Sequence, residues 1–146
     1  MKTVLAAVDF SDMTQKIVNQ AARLANNFSC SVHIVHVAAP NPDKVGYDVS
    51  QQYVRDYRAK EYRREHQELH QHAERIKEMG IEVIPLLIQG PVVEVILKEA
   101  DKIQAGVIVL GSHGHGMLHK MLAGSVCEGV LKCTTIPLFI IPPKKR

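Results

Sequence analysis

Short apolar runs alternate along the chain with stretches whose apolar residues recur at helical spacing. Residues 3–8 are apolar and rich in small and β-branched side chains, the pattern of a strand buried on both faces. Ile17, Val18, Ala21, Ala22, Leu24 and Ala25 follow at the spacing of one helix face, and the oxygens of Asp9, Ser11 and Asp12 are placed to cap that helix. A second strand at 31–37 is stopped by Ala39-Pro40-Asn41-Pro42, and the chain to about residue 49 reads as loop. Residues 50–79 form a long polar segment that suits a solvated helix laced with charge pairs, with Gly80 as its stop. A third strand at 81–88 carries Pro85, which places it at a sheet edge because proline cannot donate to the ladder. Gly90-Pro91 opens the next helix, with proline at its first position, and 106–110 is the fourth strand. A glycine-rich loop, a short helix over 125–132 and a last strand over 136–141 complete the chain, with Pro137 again marking an edge.

This alternation of buried strands with helices predicts one α/β domain spanning 1–146, a parallel sheet with helices on both faces. A length of 146 residues suits a single domain. Charge changes the picture little: 18 basic against 15 acidic residues leave a net +3, spread along the chain, and tryptophan is absent. Nucleic acid is therefore not expected as a partner. No apolar run reaches the roughly 18 residues of a membrane helix, and Asp9 interrupts the apolar start, so the expectation is a cytoplasmic protein with no membrane partner. Cys30, Cys127 and Cys133 form no CxxC and read as reduced, small buried groups, although a helix start at Cys127 would lower that thiol's pKa.

Ligands of open α/β sheets sit beyond the carboxyl ends of the strands, at the point where strand order reverses. Two segments qualify, 9–12 and 111–125. The second reads Gly111-Ser112-His113-Gly114-His115-Gly116 and, after seven residues, Gly124-Ser125-Val126-Cys127. Glycines let backbone amides approach a ligand closely, successive amides make an anion nest, and a helix N-terminus adds a favourable dipole. A phosphate group is the chemistry these features share. Ser125 reads equally as helix cap and phosphate ligand. Neither GxxxxGK[ST] nor GxGxxG is present. His113, His115 and His119 lack the partners of a zinc motif, and His66 and His70, four apart on a helix face, lack a third ligand. His33 and His36 point to opposite faces of their strand.

The spacing that is present is G-x2-G-x9-G-S, at Gly111, Gly114, Gly124 and Ser125. With Val8-Asp9-Phe10-Ser11, His36-Val37 and the closing 136–141 segment, the chain resembles the ATP-binding branch of the universal stress protein family along its whole length. The resemblance implies a Rossmann-like open parallel five-stranded sheet of order 3-2-1-4-5, with ATP at the switch point and Mg2+ or Mn2+ carried on its phosphates. It implies that Asp9 binds the ribose hydroxyls and that Ala7 and Val37 line the adenine pocket. Leu110, Gly111, His113 and Gly114 would wrap sugar and phosphates, and Gly124, Ser125, Val126 and Cys127 would hold the phosphate chain. Cys127 stands where a hydroxyl is common in the family, and a thiol is a weaker donor. The family also implies a homodimer through the last strand, whose apolar edge invites pairing.

The function expected is that of a nucleotide-dependent regulatory or stress-response protein. A slow ATPase or phosphotransferase is the alternative, but no residue stands out as its base. A nucleotide-independent interaction module is a further alternative, and a phosphoacceptor domain fails because Ile88-Gln89-Gly90 offers no aspartate.

Overall fold

The computed structural model describes residues 1–38, 48–112 and 125–143, with the side chains of 48–54 left out. Its elements run β1 (Thr3–Val8), α1 (Thr14–Phe28), β2 (Ser31–Ala38), α2 (Asp48–Glu78), β3 (Val83–Gln89), α3 (Val92–Lys102), β4 (Val107–Gly111), α4 (Val126–Cys133) and β5 (Leu138–Ile141). All neighbouring strands are parallel, in the order β3-β2-β1-β4-β5. The predicted five-stranded sheet is thus the observed one, and Pro85 does lie on an edge strand.

Alternation along the strands divides the core into two layers. Val4, Ala6 and Val8 of β1 and Val32 and Ile34 of β2 pack with Ile17, Val18, Ala21, Ala22 and Ala25 of α1 and with Leu69, Ala73 and Ile76 of α2. Leu5, Val35, Ile108 and Leu110 face the other way, against Ile96 and Ala100 of α3 and Cys127 and Val130 of α4. The strands β1 and β4 are almost wholly apolar because both of their faces are covered.

Helix ends follow local chemistry. Gly80 takes a left-handed φ of 81° and its amide bonds the Lys77 carbonyl at 2.9 Å, closing α2 as expected. Ser29 makes the same kind of end for α1, with a φ of 52°. The start of α1 differs from expectation. Phe10 adopts a φ of 60°, which delays the helix, so the residue at the cap is Met13 and has no side-chain cap bond. Asp9 and Ser11 instead brace the turn: Asp9 Oδ1 accepts from the Ser11 amide at 3.0 Å and Ser11 Oγ from the Met13 amide at 3.2 Å. Pro91 stands at the cap of α3, one position earlier than predicted. The last strand starts at Leu138 rather than 136, because the Ile136 amide bonds Thr134 Oγ1 and Pro137 has no amide hydrogen; the Pro137 carbonyl accepts from Ile108.

Cys133 is exposed and Cys30 half-buried, so only Cys127 is the fully buried thiol the sequence suggested for all three. Along α2, the exposed Arg64 donates to Glu61 at 2.7 Å, in keeping with a solvated charged face. No helix among the described residues is long and apolar enough to cross a membrane.

Candidate functional site

The sheet order places the switch point between β1 and β4. From β1 the chain fills one side of the sheet through β2 and β3, then crosses to β4 and β5 on the other. Adjacent connections therefore leave in opposite directions, and a crevice opens beyond the strand ends. A cleft of about 260 Å³ lies there. That is just below the range of about 300–1,000 Å³ typical of small-molecule pockets.

Its walls gather much of what the sequence singled out. Ala7 and Asp9 come from the end of β1, Val37 from β2, Leu110 and Gly111 from β4, and Ser125, Val126 and Cys127 from the start of α4. Residues separated by more than 100 positions thus share one cavity. His113, Gly114 and Gly124 lie outside the described residues, as do His115 and His119. Val35, Val92 and Ser112 also line the cleft and were not predicted as site residues. Val35 was legible, since it sits two residues before Val37 and so shares its face. Val92 was not, because only the tertiary fold brings the start of α3 to this crevice.

The wall is largely aliphatic, with polar groups at its rim. Ser125 caps α4, its Oγ accepting from the Glu128 amide at 3.0 Å. The cap uses a lone pair of the hydroxyl, while an anion would use its hydrogen, so the two roles predicted for Ser125 are compatible. The amides of the first helical turn have no intrahelical acceptor and carry the positive end of the helix dipole. Burial pushes the Cys127 thiol above its usual pKa. This corrects the expectation of a lowered value at the helix start: the thiol is buried, and desolvation of the thiolate dominates.

The Phe10 backbone is the unusual feature of the β1 turn, since a left-handed φ on a bulky residue costs about 1–3 kcal/mol and persists only where its surroundings enforce it. Its ring packs on His36, with centroids 4.3 Å apart, and on His72 at 6.5 Å. His33 and His36 do lie on opposite faces, His36 towards α2.

His66 and His70 rings approach to 4.4 Å, but among the described residues no group of three or more His, Cys, Asp or Glu is arranged to hold a metal. His33 and His72 each keep a buried Nδ1 without a partner, and burial lowers both of their pKa values. The unfolded chain then binds more protons than the folded one just below the ordinary histidine value, so stability should fall as pH drops through about 6.5. Urea unfolding at neutral and mildly acidic pH should show this loss, and His72→Gln should reduce it; an unchanged acid limb in that variant would clear His72 of the effect.

The model of the universal stress protein family matches residues 1–142. The chain belongs to the universal stress protein family. Universal stress protein YxiE of Bacillus subtilis is 28% identical over 143 residues, covering 94% of this chain and 97% of its own. The solved structure of MJ0577, a universal stress protein of Methanocaldococcus jannaschii, superimposes with a TM-score of 0.84 at 22% identity, covering 99% of this chain and 98% of its own. A universal stress protein of Archaeoglobus fulgidus solved in complex with dAMP reaches a TM-score of 0.64 at 22% identity, with 97% of each chain covered. Another family member, solved with cAMP, reaches 0.68 at 20% identity, over 97% of this chain and 96% of its own. The family fold is therefore the fold described above, and adenine nucleotides are ligands of some of its members.

Proposed function

We propose that the cleft between β1 and β4 binds an adenine nucleotide, with ATP as the physiological ligand, and that the protein acts as a nucleotide-dependent regulator of the stress response. The observation that carries this reading is the convergence of Ala7, Asp9, Val37, Leu110, Gly111, Ser125, Val126 and Cys127 on one crevice at the switch point. The donor set fits the ligand. The flat faces of a purine suit the aliphatic walls of Ala7, Val37 and Leu110, a carboxylate at Asp9 suits vicinal ribose hydroxyls, and the opening turn of α4 suits phosphate. His113, Gly114 and Gly124, outside the described residues, complete the set by the G-x2-G-x9-G-S spacing. Mg2+ or Mn2+ would travel on the phosphates and neutralise their charge. The nucleotide complexes of the dAMP- and cAMP-bound relatives support adenine as the base; the intact glycine motif supports a longer phosphate chain than theirs.

A ligand that binds only the folded state stabilises it by mass action, by about 2.7 kcal/mol at a hundred times Kd. Stripped protein should therefore melt several degrees higher on adding Mg-ATP, and freshly purified protein should release adenine nucleotide on denaturation. No melting shift and no calorimetric heat would sink the proposal. A larger shift with AMP than with ATP would reassign the ligand to a monophosphate.

The same reading includes a homodimer formed through β5. Phe139 and Ile140 on that edge strand remain 38% and 37% exposed, an apolar margin open to pairing. Sedimentation should show a dimer in the wild type and a monomer in Ile140→Lys; a monomeric wild type would overturn it.

A further inference from the structure

We propose that Gly129 is a positioning residue for the nucleotide cleft: because it has no side chain, α4 packs close against Val93 of α3, and that spacing sets how firmly the first turn of α4 grips the phosphate end of the ligand. This rests on the nucleotide reading above. It adds a residue that lies outside both the cleft lining and the G-x2-G-x9-G-S spacing.

α3 and α4 cover the same face of the sheet, and both reach the cleft with their first residues. Val92 of α3 lines it, as do Ser125, Val126 and Cys127 at the start of α4. Directly behind these residues the two helices meet. Val93 follows Val92, and Gly129 lies one turn beyond Ser125, whose carbonyl accepts from the Gly129 amide at 3.1 Å. A Cβ placed on Gly129 would stand 2.8 Å from Cγ2 of Val93 and 3.4 Å from its Cγ1. The first distance is about 0.7 Å or more short of the roughly 3.5–4.0 Å optimum between carbon atoms. The three atoms nearest that Cβ all belong to Val93. A valine in a helix strongly prefers one rotamer, so it does not turn its methyl groups aside cheaply.

A side chain at this position therefore forces one helix to move. α3 is held on the sheet by Ile96 and Ala100, and α4 by Cys127 and Val130. Whichever gives way, Val92 and the Ser125–Cys127 turn part, since each helix carries its own share of the cleft wall. Hydrogen bonds to a charged phosphate weaken steeply with distance, so the first turn of α4 loses its hold. Local propensity points the same way. Glycine is a poor helix residue because it has the most backbone freedom to lose, and α4 has only 8 residues. The close approach to α3 accounts for a glycine that the helix itself disfavours. Gly106 offers the contrast. It too is crowded, but by the unbranched side chain of Met1, which yields easily, and it precedes β4, at the end of the sheet away from the cleft.

The test compares four chains at one pH: wild type, Gly129→Ala, Gly129→Ala with Val93→Ala, and Gly106→Ala. By titration calorimetry Gly129→Ala should bind Mg-ATP about tenfold or more weakly, the worth of one hydrogen bond to a charged group. The double variant should regain wild-type affinity, because the added Cβ then faces the retained Cβ of residue 93 at 3.6 Å, an ordinary contact. Gly106→Ala should bind as the wild type does. Lost stability alone does not produce this pattern, since apparent affinity falls only by the folded fraction, which urea unfolding measures. If Gly129→Ala needs support to fold, all four chains are compared in the same concentration of a stabilising osmolyte. Unchanged affinity in Gly129→Ala overturns the proposal, as does a loss that persists in the double variant or an equal loss in Gly106→Ala.

Alkylation of the thiols by iodoacetamide, read by mass spectrometry, follows the helix without any nucleotide. Cys127 is buried at the start of α4, Cys133 is exposed, and Cys30 packs against the opposite core layer. Cys127 should react faster in Gly129→Ala and return to the wild-type rate in the double variant, with Cys30 unchanged throughout. Absence of Mg-ATP heat in the wild type would remove the nucleotide reading. Cys127 then judges the spacing by itself, and equal rates in wild type and Gly129→Ala overturn it.

Discussion

Asp9→Asn should cost about ten- to a hundredfold in Mg-ATP affinity while leaving the fold intact. A hydrogen bond to a charged group is worth about 1.5–3 kcal/mol, and each 1.4 kcal/mol is a factor of ten in affinity. In the proposed site the carboxylate of Asp9 accepts from ribose hydroxyls, whereas an amide offers one oxygen and no charge. The choice of asparagine matters. Asp9 Oδ1 also accepts from the Ser11 amide at 3.0 Å, and an asparagine oxygen can keep that bond. Asp9→Ala would remove the brace of the turn as well and confuse binding with folding. Calorimetry gives the affinity and urea unfolding gives the stability. Equal affinities for Asp9→Asn and the wild type would place the sugar elsewhere in the cleft.

Ile76→Ala should be the most damaging single truncation in α2, at about 2–5 kcal/mol. The helix has 31 residues, yet the described side chains it buries in the core are Leu69, Ala73 and Ile76, spaced one turn apart. Ile76 is fully buried, against the sheet face that β1 and β2 share with α1. Beyond these three, α2 is tied to the fold by polar and ring contacts such as Glu65–His36 and His72–Phe10, and exposed pairs within the helix such as Arg64–Glu61 are worth at most about 1 kcal/mol. Denaturant unfolding should show the loss, and amide exchange should show α2 opening ahead of the central strands. Uniform exchange across helix and sheet would mean that α2 is held by more than these side chains and contacts.

The two buried layers were legible in the sequence because the periodicities are clean. Val4, Ala6 and Val8 alternate with Leu5 and Ala7 along β1, and α1 repeats its small apolar residues at helical spacing, so strand, helix and their burial follow from pattern alone. The order of the strands is a different matter. Parallel pairing was implied by alternation, but the place of β1 in the middle came from the family resemblance. The candidate site was legible where motif residues lie at strand ends, as with Asp9 and Gly111. It was not where side chains meet only through the fold. Val92 reaches the cleft from α3, and Glu65 meets His36 across 29 positions; no local signal marks either contact. The start of α1 was misjudged because, after the left-handed Phe10, the cap falls on Met13 and not on Asp9, Ser11 or Asp12, and nothing about phenylalanine announces that conformation. The Cys127 thiol was misjudged because a helix dipole is visible in a sequence pattern and burial is not.

The unequal margins of the sheet set how far it can grow. On one side Pro85 interrupts the donors of β3; on the other, β5 presents Phe139 and Ile140 without any proline between Leu138 and Ile141. In the proposed homodimer, a copy added along β5 would cover the proline-free rim of each molecule, leaving proline-bearing strands at both outer limits. Such an assembly closes at two chains instead of lengthening into a fibre.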